Sequence, residues 1–178
     1  MKDLTYTEIL KNHSNLKKSL NSQNEYEVFI ISNITINQIK EILEYSLQID
    51  GINAKVNIGD YDNLVQESNK CRNSNLTIIY WETCNLLDGL QYKIDLFDSE
   101  KLNELLVKVK SEIDLVLENL KDCSLVIFNY FSSVVFNKYN IKKTKLDWLA
   151  GELNQYLDKT VSSNVRLIDL DKIISNFG

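Results

Sequence analysis

Polar and aromatic side chains that could do chemistry stand at the ends of three apolar runs in this sequence. They are Ser32, Asn33 and Thr35 after the first run, Trp81 and Glu82 at the end of the second, and Asn129 and Tyr130 after the third. Hydroxyl and amide groups beside a helix N-terminus favour an anion, because the first backbone N–H groups of a helix are free. A tryptophan can stack on a ligand, and a glutamate can act as a general base. We therefore predict that these residues bind a ligand.

Each of these residues also has a structural interpretation, and the sequence leaves both open. Thr35 could cap a helix, with Gln38 completing a capping box, and Asn33 could occupy an unusual backbone angle. Trp81 could pack in the core, and the aromatic side chains that follow Asn129 could cover the edge of a sheet.

The elements that must position these residues follow from the hydrophobic pattern. Strands are predicted at residues 27–31, 52–58, 76–81, 124–128 and 165–169, and helices at 5–20, 35–49, 98–120, 144–157 and 171–176, with a short helix near 64–65. Residues 82–97 are predicted to be mostly loop and a candidate binding loop. Strands that alternate with helices favour a parallel sheet with right-handed crossovers.

The predicted fold is therefore a three-layer α/β/α domain with a five-stranded parallel sheet. By analogy with flavodoxin-like sheets the strand order is 2-1-3-4-5, which makes the first, third and fourth strands neighbours. The seven candidate residues would then meet at the carboxyl edge of the sheet, where open α/β sheets bind ligands. Residues 1–24 are predicted to be an extra N-terminal helix and linker, and residues 25–178 the α/β domain.

Composition excludes several classes of function. The chain has 178 residues, 25% of them charged, and a net charge of −5, which disfavours binding to nucleic acid. No apolar run approaches the ~20 residues needed to span a bilayer, and the first residues lack an apolar signal core, so we expect a cytoplasmic protein. The three cysteines form no metal-binding pattern, so neither a metal nor a cofactor is expected. Cys84, which follows a strand, is a candidate reactive thiol.

A series of short motifs resembles a known family. The motifs are Ser32-Asn33-x-Thr35, Gly59-Asp60-Tyr61, Val126-Ile127-Phe128-Asn129, Leu146-Asp147-Trp148-Leu149 and the run from Asn164 to Asp171. In this order they resemble the N-terminal SGNH-hydrolase-like domain of the FkbH-like proteins of the haloacid dehalogenase (HAD) superfamily, over roughly residues 25–178. Fuller family members continue into a HAD phosphatase domain. In polyketide pathways they take a glyceryl group from 1,3-bisphosphoglycerate, remove phosphate and pass the acyl group to an acyl carrier protein.

Departures from the SGNH pattern decide which role the resemblance implies. Asn33 stands where that family has its catalytic serine, and the one histidine, His13, precedes the first strand instead of following the last. Asn129 aligns with a family residue that donates to an oxyanion. Asp169-Leu170-Asp171 imitates the HAD Asp-x-Asp signature, but the residues after it do not fit that motif.

The resemblance therefore implies a non-catalytic SGNH-like recognition domain that assists glyceryl or acyl transfer. Its expected partner is an acyl carrier protein or a HAD-type phosphatase domain, with no nucleic acid and no membrane. The one basic run, made of Lys138, Lys142, Lys143 and Lys145, is either a solvated helix start or a docking site for the acidic carrier. Two alternatives stay open: a diverged esterase or acyltransferase that uses Ser32 or Cys84, and a structural module whose first helix mediates dimerisation.

Overall fold

The computed structural model describes residues 4–20, 24–134 and 143–176. The strands are β1 (Tyr26–Ser32), β2 (Ala54–Ile58), β3 (Leu76–Tyr80), β4 (Leu125–Asn129) and β5 (Val165–Ile168). The helices are α1 (Tyr6–Leu20), α2 (Ile39–Ile49), α3 (Leu64–Lys70), α4 (Leu90–Lys93), α5 (Ser99–Asn119), α6 (Lys145–Thr160) and α7 (Leu170–Ser175). Two 3₁₀ turns, Thr83–Asn85 and Ile94–Leu96, flank α4.

The five strands form one all-parallel sheet in the order β2-β1-β3-β4-β5, which confirms the predicted fold class and strand order. The step from β1 to β2 runs in one direction across the sheet, and every later step runs in the other. Right-handed crossovers therefore place α2 on one face and α3, α5 and α6 on the opposite face. We call the face under α3, α5 and α6 the first face and the face under α2 the second face.

The core divides between these two faces. On the first face, Ile31, Ile79 and Phe128 pack with the buried stripes of α5 and α6. On the second face, Val28 and Ile30 pack with Ile36 and with the partly buried leucines of α2. Successive side chains along each strand point alternately to the first-face and second-face cores, as expected for a parallel sheet with helices on both sides.

Helix α1 packs on α2 at the β2 edge of the sheet. The buried Glu44 of α2 accepts a hydrogen bond from the backbone N–H of Val56 at 2.8 Å, and its other carboxylate oxygen lies 2.9 Å from Nε2 of His13 on α1. Because Val56 lies on an edge strand, this carboxylate occupies a backbone group that would otherwise be open to pairing with another chain. The division of the chain at residue 24 stays a prediction.

Two local predictions are wrong, and burial explains both. Helix α2 begins at Ile39 instead of residue 35, with Gln38 at the N-cap, so Thr35 caps nothing there. The chain turns instead at Ile36, whose carbonyl accepts from the N–H of Ile39 at 2.9 Å and whose side chain is buried in the second-face core. The segment after β3 is not a loop, because its apolar side chains, Leu86, Leu90, Ile94 and Phe97, are buried on the first face.

Candidate functional site

The three segments that carry the predicted site residues lie at the carboxyl ends of β1, β3 and β4. These strands are neighbours in the sheet, and Ser32 pairs with Tyr80 in the register of β1 and β3. Hydrogen bonds link the segments directly, from Asn33 to Glu82 and from Asn129 to Trp81. The structure therefore brings the backbone of all three segments to one edge of the sheet.

The amide of Asn33 pairs with backbone. Its Oδ1 accepts from the N–H of Glu82 at 2.7 Å, and its Nδ2 donates to the carbonyl of Glu82 at 2.9 Å. The side chain of Asn85 donates to the carbonyl of Asn33 at 2.9 Å. These bonds extend the pairing of β1 with β3 beyond the last strand residues, and the Asn33 side chain is 0% exposed. Both polar atoms of the Asn33 side chain are therefore committed to the backbone of this chain.

Asn129 makes the same kind of clamp on the other side of β3. Its Oδ1 accepts from the N–H of Trp81 at 2.7 Å, and its Nδ2 donates to the carbonyls of Trp81 at 3.1 Å and Tyr130 at 2.9 Å. An amide nitrogen has two hydrogens, and both are used here. An oxyanion-donor role for Asn129 would therefore require it to break one of these bonds.

Trp81 faces the core of the first face. Its ring is stacked on Phe128 with centroids 6.1 Å apart, and Phe131 is tilted against it at 6.0 Å. The side chain is buried, so its ring packs against protein on several sides. A cavity of about 430 Å³ reaches Trp81 from the groove between α3 and α5, where Asp62 and Lys108 line the opening.

Ser32 and Thr35 line a separate cavity of about 350 Å³ between the loops after β1 and β2, opposite Gly59 and Tyr61. The hydroxyl of Ser32 donates to the carbonyl of Ile34 at 2.7 Å, whereas Thr35 is exposed. The free N–H groups that motivated an anion site belong to a helix that begins at Ile39, one turn later than predicted. The helix N-terminus is therefore not beside Ser32 and Thr35 as the predicted anion site requires. Of the groups in that prediction, only the hydroxyls of Ser32 and Thr35 line the cavity.

Two carboxylates, Glu82 after β3 and Asp171 after β5, lie at the same edge of the sheet. Burial raises the pKa of Glu82 above its ordinary value, and the nearby carboxylate of Asp171 raises it further. Burial also raises the pKa of Tyr80, with Glu82 and Asp171 contributing. Ser132 donates its hydroxyl to both oxygens of Asp171, at 2.7 and 2.8 Å. No local pattern predicts the contact between Ser132 and Asp171, because 39 residues separate the two.

The remaining predicted residues lie at the periphery. The Tyr130 hydroxyl donates to Asp158 at 2.5 Å, and that bond is the main cause of the raised pKa of Tyr130. Lys145 donates from Nζ to the carbonyls of Asp95 at 2.8 Å and Phe97 at 2.6 Å, while Lys143 is exposed. Lys138 and Lys142 lie outside the described residues.

In the described residues no serine or cysteine is held against a histidine. His13, the one histidine, contacts Glu44 on the far side of α2. Cys84 is buried, and burial raises its pKa to about 12, with the Glu82 carboxylate adding to the effect. A thiol with so high a pKa is a poor nucleophile at neutral pH. In the described ranges, no group of three or more His, Cys, Asp or Glu side chains could hold a metal ion.

A search for membrane-spanning helices in the described part of the chain found none long and apolar enough to cross a bilayer.

Comparison with known proteins adds one structural relative. No protein-family model matches the chain, and no curated protein matches it. Among solved structures it is similar to the N-terminal part of the protein BF1531 from Bacteroides fragilis, described as containing a phosphatase domain complexed with Mg. The TM-score is 0.69 at 18% sequence identity, and the match covers 98% of this chain and 47% of the other. The chain thus spans about half the length of that structure, and the likeness shows the fold.

Proposed function

We propose that this chain is a non-catalytic recognition domain of SGNH-like type that works with a HAD-type phosphatase domain. In the proposed system it assists the transfer of a glyceryl or related acyl group to an acyl carrier protein. The chain itself supplies binding surfaces, and the chemistry belongs to the phosphatase domain. The chain is similar to the N-terminal part of a protein described as containing a phosphatase domain, which supports an accessory role.

The observation that carries the proposal is the state of Asn33. An SGNH hydrolase needs a nucleophile in this turn and a base beside it. Here the residue is fully buried, and both polar atoms of its side chain are bonded to the backbone of Glu82. The neighbouring Ser32 hydroxyl donates to Ile34, and no described base lies against it. The edge of the sheet that would be catalytic in a hydrolase is therefore built as a rigid clamp.

Neither alternative gains a specific contact. A diverged esterase would need Ser32 or Cys84 to be accessible and activated, and both are buried. For dimerisation, α1 packs on α2 through His13 and Glu44 and leaves Tyr6 and Leu10 exposed at 44% and 38%, which is too small an apolar surface to favour a dimer.

The absence of catalysis is tested by hydrolysis of short p-nitrophenyl esters. We expect the purified chain to match the protein-free background. Turnover well above that background, and lost on Ser32→Ala, would instead establish the diverged esterase.

The recognition role is tested by carrier loading. The HAD-type phosphatase encoded with or beside this chain is mixed with phosphopantetheinylated carrier protein and 1,3-bisphosphoglycerate, and loading is followed as a shift in carrier mass. We expect faster loading when this chain is present, and measurable binding to the phosphatase. Equal rates with and without the chain, together with no binding to either partner, would refute the proposal.

For the carrier, the proposed contact is the basic run that includes Lys143. Charge pairs at the rim of an interface act mainly on association rate and salt dependence. We expect Lys143→Glu to weaken carrier binding more at low salt than at high salt. Equal affinities of the variant and the parent at low salt would remove this surface from the proposal.

A further inference from the structure

On the second face of the sheet, the side chains become more exposed from β1 across β3 and β4 to β5. The strand register places Ile30, Ile78, Ile127 and Arg166 in one row across β1, β3, β4 and β5. Ile30 is 2% exposed, Ile78 and Ile127 are partly exposed, and Arg166 is exposed. Because residues paired in register point to the same face, this row measures how far the helical layer extends. The helical layer therefore covers β1, reaches Leu76 at the start of β3, and leaves most of the second face of β3, β4 and β5 partly exposed.

The chain topology explains the gap. Only the step from β1 to β2 places a crossover helix on the second face, and that helix, α2, covers those two strands. Helix α1 lies beyond α2 at the β2 edge, where Glu44 joins His13 to the outward N–H of Val56. Within the described residues only α7 follows β5, and it has six residues and no buried side chain.

We call the uncovered part the open strip and define it as the second-face side chains of β3, β4 and β5 other than Leu76 and Asn129, which are buried. These are Ile78, Tyr80, Leu125, Ile127, Arg166 and Ile168. All-parallel sheets are otherwise found with both faces covered, because their strands are apolar on both sides. Three strands spaced about 4.8 Å apart are roughly 10 Å across, which is the width of one α-helix with its side chains. The strip therefore has room for a single helix.

Charges along the strip favour one direction for that helix. Glu82 follows β3 and Asp171 follows β5, so both carboxylates lie at the carboxyl edge of the sheet and make it acidic. Arg166 lies nearer the amino edge, where its Nη1 donates to the carbonyls of Ser163 at 2.7 Å and Val165 at 3.0 Å. Among the described residues no carboxylate forms an ion pair with it.

A helix that runs antiparallel to the strands matches this pattern. Its positive N-terminal end would lie at the acidic carboxyl edge, and its negative C-terminal end would lie near Arg166. An acidic side chain in its last turns would pair with the guanidinium, and its apolar face would cover Ile78 and Ile127.

We propose that the open strip is the docking site for one amphipathic helix of the HAD-type phosphatase domain, which runs antiparallel to the strands and carries a carboxylate for Arg166. This proposal rests on the proposed function and names the surface that the partner uses. A second copy of this chain fits less well, because the strip offers on the order of 150–200 Å². A stable dimer needs about 800 Å² from each partner. A helix that belongs to a larger partner is held by its other contacts as well.

The test uses the intact chain and the phosphatase from the loading assay. Binding is measured by calorimetry for the parent, for Arg166→Glu and for the control Lys159→Glu, which makes the same charge change on α6 at the first face. Arg166 and Lys159 are both exposed, so the variants should keep the parent's circular dichroism and urea midpoint. Hydrogen exchange of peptides from β3, β4 and β5 is compared with and without the phosphatase.

We expect Arg166→Glu to weaken binding at least about tenfold and Lys159→Glu to change it less than about twofold, with added protection confined to β3–β5. Binding that protects other segments and tolerates Arg166→Glu would overturn the docking site and leave the proposed function standing. No binding to the phosphatase would overturn the docking site, and it would overturn the proposed function as well if carrier loading is unchanged and the carrier does not bind. A parent chain that sediments as a dimer, and becomes monomeric on Arg166→Glu, would assign the strip to a second copy and also overturn the proposal.

Discussion

Removing the amides of Asn33 and Asn129 tests whether the carboxyl edge of the sheet is a clamp or a ligand site. Both side chains pair with the backbone of the segment after β3, Asn33 with Glu82 and Asn129 with Trp81. If they are clamps, Asn33→Ala and Asn129→Ala should lower the free energy of unfolding. If their main partner is a ligand, the substitutions should change the unfolding free energy of the ligand-free chain only slightly.

The size of the loss follows from the groups left behind. Asn33→Ala leaves one donor and one acceptor of Glu82 without partners, and each unpaired buried group costs about 1–3 kcal/mol. Because Glu82 is only partly buried, water can reach it, and we expect a total of about 2–4 kcal/mol. Asn129→Ala leaves three groups on Trp81 and Tyr130, at a more buried place, and should cost about 3–5 kcal/mol.

Urea unfolding followed by tryptophan fluorescence measures these losses, because the ring of Trp81 is buried beside the clamps. Against a total stability of about 5–15 kcal/mol, either loss is large. The control is Asn37→Ala, which is exposed near the same edge and should change stability by less than about 0.5 kcal/mol. If both variants lose less than about 0.5 kcal/mol of unfolding free energy, Asn33 and Asn129 are not clamps, and the prediction that their amides bind a ligand is favoured instead.

The remaining predictions concern two glycines, the cysteines and one carboxyl. Gly59→Ala should destabilise the chain by about 1–3 kcal/mol, because a Cβ there would lie 3.0 Å from Glu67 Cγ. Gly151→Ala lies inside α6 with open space around it and should stabilise the chain by about 0.5–1 kcal/mol. Calorimetric melting should show a lower melting temperature for the first variant and a higher one for the second. All three cysteines are buried, so a thiol reagent at pH 8 should react only after denaturation, and rapid labelling of the native chain would contradict their burial. The folded state raises the pKa of Glu82, so its protonated form is favoured. Its contribution to stability is therefore full below the unfolded pKa of about 4.3 and is lost as pH rises through the folded value. Glu82→Gln should remove this dependence and stabilise the chain at pH 7, and urea midpoints that fall equally with pH in both proteins would exclude Glu82 as the cause.

Local sequence pattern predicted the five strands and the main helices in their order along the chain, but not the short helices after β3. The apolar run at β3 and the 3.6-residue stripe of α5 are properties of neighbouring residues, so they can be read without knowing the fold. Asp98 at the N-cap of α5 and Thr144 at the N-cap of α6 likewise act within one turn. Alternation of strands and helices predicted the parallel sheet, whereas the strand order was predicted by analogy with flavodoxin-like sheets, and the structure has that order.

Tertiary structure alone decided what the polar residues do. The partner of Asn33 is 49 residues away, and no local pattern distinguishes an amide that clamps Glu82 from one that waits for a ligand. The same holds for Ser132 on Asp171 and for Glu44 on Val56. Hydrogen bonds are directional and satisfied by whatever the fold brings near, so their partners depend on the arrangement of strands in space. The open strip also depends on tertiary structure, because the positions of α1 and α2 on the sheet determine which strands stay uncovered.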